Sequence, residues 1–137
     1  MASPRKKLIL IFDGGSRGNP GPAYGSYLIR DEGKRRPRPA RLQFGRATNN
    51  EAEYMALLAG LEAVLGRLEA QDQDPGEVLL EVRGDSQLVV QQLNGNWKAK
   101  NPRMRALRDQ ARKLMERFGE VQVVHQDRSK SVEALGH

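Results

Sequence analysis

The sequence predicts an α/β fold in which a mixed sheet carries helices on its faces. Three observations predict it. Five apolar or alternating runs of strand length are separated by Gly-, Pro- and Asp-rich turns. Two longer segments repeat apolar residues at helical spacing. The order (three strands, helix, strand, two helices, strand, helix) sets an antiparallel meander ahead of alternating helices and strands.

Lys7–Phe12 (KLILIF) is a continuous apolar run, the pattern of a strand buried on both faces. Asp13 ends it, and a loop rich in glycine and proline follows, GGSRGNPGP. This loop is no Walker-type phosphate cradle, which needs a Gly-Lys-Ser/Thr ending and a helix directly after it. Ala23–Arg30 alternates loosely and reads as a second strand, with Asp31-Glu32-Gly33 as a hairpin turn. The return segment, Lys34–Arg46 (KRRPRPARLQFGR), holds two prolines, which demote it to a sheet edge because proline cannot donate to the ladder. Its arginines guard that edge against pairing with another chain.

Thr48 to about Leu68 is a helix, with Tyr54, Leu57, Leu58, Leu61, Val64, Leu65 and Leu68 on its apolar stripe. Thr48 and Glu51 fit a capping box. Gln71–Gly76 is a loop and Glu77–Arg83 (EVLLEVR) a strand. Ser86–Leu93 is a short helix closed at Asn94-Gly95. Asn101 caps the next helix, with Pro102 at its first position, running to Phe118 and stopped by Gly119. Val121–His125 is the last strand, and a short helix follows from about Ser129.

The chain has 137 residues, which suits one domain, 1–137, with residues 1–6 as a polar lead-in. No apolar stretch approaches a membrane span, and no secretory signal pattern opens the chain, so a cytoplasmic location is expected. There is no cysteine and there are two histidines, His125 and His137. Thiolate and histidine-built metal sites are therefore set aside, and any metal falls to carboxylates, as suits Mg²⁺ or Mn²⁺. The net charge of +6 points to a polyanionic partner, nucleic acid first. Aromatics are only 5%, so base stacking is not the expected binding mode.

Three acids stand at element ends, where α/β sheets gather their chemistry. Asp13 ends a strand that reads as central; a turn-forming aspartate is the alternative. Glu53 lies beside Tyr54 at the edge of the apolar stripe, though an acid near a helix start also complements the dipole. Asp85 lies between a strand and a helix, where an N-cap is the simpler reading. Together the three describe a carboxylate cluster that needs a cation to neutralise it. Carboxylate-held metal pairs about 3.5–4 Å apart cleave phosphodiesters in many nucleases. A nuclease is the expectation on chemistry alone.

Residues 13–22 (DGGSRGNPGP), 48–54 (TNNEAEY) and 84–88 (GDSQL) resemble, in order and distance, the signature blocks of ribonuclease H, type 1. The resemblance runs from about Lys7 to Leu135. It implies the RNase H-like fold, a five-stranded mixed sheet with its first three strands antiparallel and helices on both sides. It implies Mg²⁺-dependent cleavage of the RNA strand of an RNA–DNA hybrid by two metal ions, leaving 5′-phosphate and 3′-hydroxyl ends, with Mn²⁺ as a substitute. The family's catalytic, metal-holding carboxylates fall on Asp13, Glu53 and Asp85, with Asp13 bridging both ions. Gly18, Asn19, Asn49, Asn50 and Gln87 resemble the positions that touch the hybrid's minor groove, and short amides suit a wide, shallow groove. Thr48 and Asn50 resemble part of a pocket for a DNA-strand phosphate, a role compatible with starting a helix.

Two departures from the family pattern stand out. Many bacterial members carry an extra basic helix, whereas here Trp97-Lys98-Ala99-Lys100 passes straight to Asn101-Pro102. Substrate binding is then expected to rest on the arginine-rich helix and on Trp97, Lys98 and Lys100, with simple packing as the alternative for Trp97. The family's fourth acid, normally aspartate, aligns with Glu133 in VEALG, and Asp127 is the second candidate. His125 is a candidate for the mobile histidine that some members use in product release; an ordinary strand-end histidine is the alternative. The other functional readings are a hybrid-binding protein of low activity and a nuclease acting on duplex RNA. A monomer without an obligate protein partner is expected.

Overall fold

The computed structural model describes residues 6–31 and 37–136. The central strand β1 (Lys6–Ser16) pairs antiparallel with β2 (Gly21–Asp31), which pairs antiparallel with β3 (Ala40–Ala47). On its other side β1 pairs parallel with β4 (Val78–Gly84), and β4 with β5 (Glu120–His125). The sheet order is β3-β2-β1-β4-β5, the mixed sheet that the meander and crossovers predict. The helices are α1 (Asn49–Ala70), α2 (Gln87–Leu93), α3 (Pro102–Met115) and α4 (Arg128–Leu135). None of the described helices is long and apolar enough to cross a membrane.

The KLILIF run is buried on both faces because alternate side chains feed two clusters. Leu8, Leu10 and Phe12 pack with α1, α2 and α3 through Leu57, Leu61, Val89 and Leu107. Ile9 and Ile11 pack on the other face with Leu28 and with Leu135 of α4. Burying each such leucine or isoleucine contributes about 1.5–3 kcal/mol. Tyr54 is fully buried, and its hydroxyl donates to Gln92 Oε1 on α2 at 2.7 Å. That bond satisfies two polar groups inside the main cluster. Arg112 of α3 donates to the Gln92 carbonyl at 2.9 Å and the Leu93 carbonyl at 3.3 Å, closing the C-terminus of α2.

The caps at α1 and α3 are those the sequence predicts. Thr48 Oγ1 accepts from the Glu51 amide at 3.1 Å, and Glu51 Oε1 accepts from the Thr48 amide at 2.9 Å. Asn101 Oδ1 accepts from the amides of Arg103 and Met104 at 2.8 and 3.2 Å.

Five local expectations are corrected. β1 does not stop at Asp13 but continues through Gly14 and Gly15 to Ser16, because β2 keeps supplying partners. The edge strand begins at Ala40, so Pro37 and Pro39 precede it rather than interrupt it. Ser86, not Asp85, caps α2, accepting from the Val89 amide at 3.3 Å. α3 ends at Met115. Gly119 is glycine for another reason: a Cβ there would overlap the Gly76 carbonyl, so the chain can press against the turn at 75–78. Residues 1–5 of the lead-in, Glu32-Gly33 of the hairpin turn and residues 34–36 of the return segment lie outside the described residues.

Candidate active site

Asp13 lies where β1 parts from β4. Their parallel pairing ends at Phe12 and Gly84, while pairing with β2 continues and sets Asp13 opposite Ser26. Asp85 is the first residue beyond β4. Two neighbouring parallel strands therefore deliver two acids at one end of the sheet, the usual place for a site in such folds. Glu53 arrives from the start of α1. Gly14 allows this approach, since a Cβ there would overlap the Ala52 carbonyl. The Gly14 amide then donates to Glu53 Oε2 at 3.2 Å. Carboxylate oxygens of Asp13, Glu53 and Asp85 lie within 4.8 Å of one another.

Asp13 and Glu53 are 7% and 8% exposed, so a charge on either is costly without a counter-ion. Burial, then the facing Asp85 carboxylate, pushes the Asp13 pKa from 3.8 up to about 6. Burial, then Asp13 and Asp85, pushes Glu53 up to about 9. The donor set is all carboxylate oxygen, which fits a hard divalent ion, and Asp13, Glu53 and Asp85 would hold it.

The two raised values predict a pH-dependent stability. Between about pH 4 and 9 the folded chain holds protons on these groups that the unfolded chain has lost, so stability falls as pH rises through that window. A divalent ion held by these carboxylates would bind their ionised forms and reverse the loss. The gap in melting temperature between Mg²⁺-saturated and chelated protein should widen from pH 5 to pH 9. A gap independent of pH would contradict this electrostatic account.

Comparison with known proteins follows the same lines. A family profile described as reverse transcriptase-like matches residues 11–135. A ribonuclease HI of Halobacterium salinarum is 44% identical over 119 residues, covering 86% of this chain and 55% of that one. The crystal structure of RNase H1 from Halobacterium salinarum NRC-1 superposes with a TM-score of 0.80 at 38% identity, over 95% of this chain and 92% of that chain. The chain belongs to the ribonuclease H family. LC11-RNase H1 (isolated from compost by a metagenomic approach), solved in complex with an RNA/DNA hybrid, gives a TM-score of 0.80 at 33% identity, over 92% and 89% of the two chains. The chain spans about half the length of the curated Halobacterium relative.

Within this ribonuclease H fold, the loop carrying Gly18 and Asn19 is stapled to the start of α1. Asn19 Oδ1 accepts from the Asn49 amide at 3.1 Å, and Asn49 Oδ1 accepts from the Ser16 amide at 2.7 Å. Gly18 takes φ +96°, a left-handed value that favours glycine. Thr48, Asn49 and Asn50 thus gather with Gly18 and Asn19, and Asn49 and Asn50 are exposed. Gln87 is exposed at the first position of α2. Trp97, Lys98 and Lys100 are exposed on residues 94–101, the only chain between α2 and α3. No added basic helix fits in that link.

The remaining candidates lie at the end of β5 and on or just before α4. Glu133 is exposed and lines an opening of about 560 Å³ with Arg30, Arg83 and Lys130. It is not among the three gathered carboxylates. Arg128, at the start of α4, pairs with Asp85. Asp127 is the exposed N-cap residue of α4 and makes no side-chain cap bond. The His125 Nε2–H donates to the Asp85 carbonyl at 3.2 Å. Two contributors escaped the sequence reading. Gly14 was visible only as one glycine of a loop. Arg128 gave no signal, being one cation among 23 lysines and arginines.

Proposed function

We propose that this chain is a divalent-metal-dependent endonuclease that cleaves the RNA strand of RNA–DNA hybrids, leaving 5′-phosphate and 3′-hydroxyl ends. The single observation that carries the reading is the group of three carboxylates brought together by β1, the end of β4 and the start of α1. The family membership and the hybrid held by LC11-RNase H1 support the substrate class. Bound divalent ions, Mg²⁺ or Mn²⁺ in its place, would lower the pKa of the attacking water and neutralise charge on the leaving oxygen. The chain's own part is to position and bind. Asp13, Glu53 and Asp85 hold the ions. Gly18, Asn19, Asn49, Asn50 and Gln87 meet 2′-hydroxyls and base edges in the minor groove. Thr48 and the N-terminus of α1 hold a DNA-strand phosphate. Trp97, Lys98 and Lys100 extend the contact beyond α2. The chain works as a monomer in this reading.

A second reading, a hybrid binder with slow turnover, draws on Glu133 standing outside the group of three carboxylates. One panel separates these. Hybrid, duplex RNA and duplex DNA are incubated with the chain in Mg²⁺ and in Mn²⁺. Multiple turnover on the hybrid in either metal supports the first reading and overturns the second. Preference for duplex RNA, or no cleavage at all, overturns the first.

A further inference from the structure

Arg128 enters the carboxylate site from α4 in a way that the proposed chemistry does not use. Its side chain is 74% exposed, yet Nη1 lies 3.5 Å from Asp85 Oδ2, whose own side chain is 6% exposed. A cation from solvent thus reaches a carboxylate that is almost covered. The ion pair at Asp85 is made with this arginine. The element that delivers it is anchored. Leu135 of α4 is fully buried against the Ile9, Ile11 and Leu28 cluster, and its carbonyl accepts from Arg41 Nη2 at 3.0 Å. The charge of Arg128 also opposes the rise of the Asp13 pKa.

A guanidinium stays protonated at any working pH, so proton loss cannot clear it from the site. A divalent ion approaching Asp85 must displace it. The pair is open to solvent on the arginine side, so it is weak enough to yield. Glu133, the residue aligned with an acid, faces the opening shared with Arg30, Arg83 and Lys130. Helix α4 therefore presents a positive charge to the carboxylates.

We infer that Arg128 is a resident counter-cation of the Asp13–Glu53–Asp85 group that competes with the divalent ion for Asp85 and raises the ion concentration the site requires. It is a positioning residue, acting through Asp85. The inference rests on the proposed ion site, and the test keeps the two apart. Mn²⁺ binding to the full chain without nucleic acid is titrated by calorimetry for wild type, Arg128→Gln, Arg128→Lys and Lys130→Gln. Arg128→Gln should bind Mn²⁺ about three- to tenfold more tightly. Arg128→Lys, which keeps the charge on a different head, should fall between it and wild type. Lys130→Gln removes an equal charge two residues along α4 and should change affinity by less than about twofold.

Melting temperature gives a second readout. In chelator, Arg128→Gln should melt below wild type, because Asp85 then faces the other two acids without its arginine. Saturating Mn²⁺ should close the gap, which a merely structural contact would leave open. If wild type binds no Mn²⁺, the proposed ion site itself falls. If wild type binds and Arg128→Gln binds equally or more weakly, only the role of Arg128 falls.

Discussion

Asp13→Asn should reduce metal-dependent hybrid cleavage by about a thousandfold or more, while hybrid binding and folding persist. The carboxylate lies at the centre of the proposed ion site, and an amide oxygen is a poor, neutral ligand in its place. The same variant should be more stable than wild type in chelator at pH 7.5. Wild-type Asp13 is then mostly ionised against a pKa of about 6, in a buried site facing two other acids. Removing that charge is expected to stabilise the metal-free fold by on the order of 1–2 kcal/mol, or a few degrees of melting temperature. Below about pH 4 the advantage vanishes, since Asp13 is then protonated in both folded and unfolded chains. Single-turnover cleavage and thermal melts on one preparation check both halves. Wild-type cleavage by Asp13→Asn would remove this residue from the chemistry. Lower stability in chelator would remove the electrostatic strain.

The second large effect concerns a residue with no side chain. Gly14→Ala should destabilise the protein by about 2–3 kcal/mol, because the new methyl meets backbone, the Ala52 carbonyl, rather than a flexible side chain. The start of α1 must then move away from β1 and carry Glu53 with it. Displacing a catalytic group by about 1 Å costs on the order of a hundredfold in rate, and cleavage should fall accordingly. Gly66→Ala is the internal control. It lies in the same helix with nothing within 4 Å of a built Cβ, and should stabilise by about 0.5–1 kcal/mol. The same substitution thus has opposite signs at two glycines. Equal melting temperatures and rates for Gly14→Ala and wild type would overturn the close-approach argument.

Much of the architecture was legible in the sequence because local signals agreed with the global fold. KLILIF carried its own burial on two faces, the Thr48–Glu51 box marked the start of α1, and Asn101-Pro102 marked the start of α3. The three acids were legible because Asp13 follows an apolar run, Glu53 lies in the first turns of a capped helix and Asp85 joins a strand to a helix. Boundaries that depend on a partner were not. β1 runs on past Asp13 because β2 is there to pair with it, and Gly119 answers to a carbonyl more than forty residues away in sequence. The signature blocks also pointed to the acids, but Arg128 beside Asp85 could not be read from them, because that contact joins residues 43 positions apart.

The sequence by itself determined the class of fold and picked out the three carboxylates that gather. Periodicity, caps and net charge are local or summed properties, readable without knowing what touches what. Only the tertiary structure decided how the site is built: that Gly14 admits α1 against β1, that burial and mutual repulsion raise Asp13 and Glu53, and that α4 sets Arg128 beside Asp85. These are distances between groups far apart in the chain. Electrostatic energy and steric overlap depend on those distances, and no spacing along the sequence encodes them.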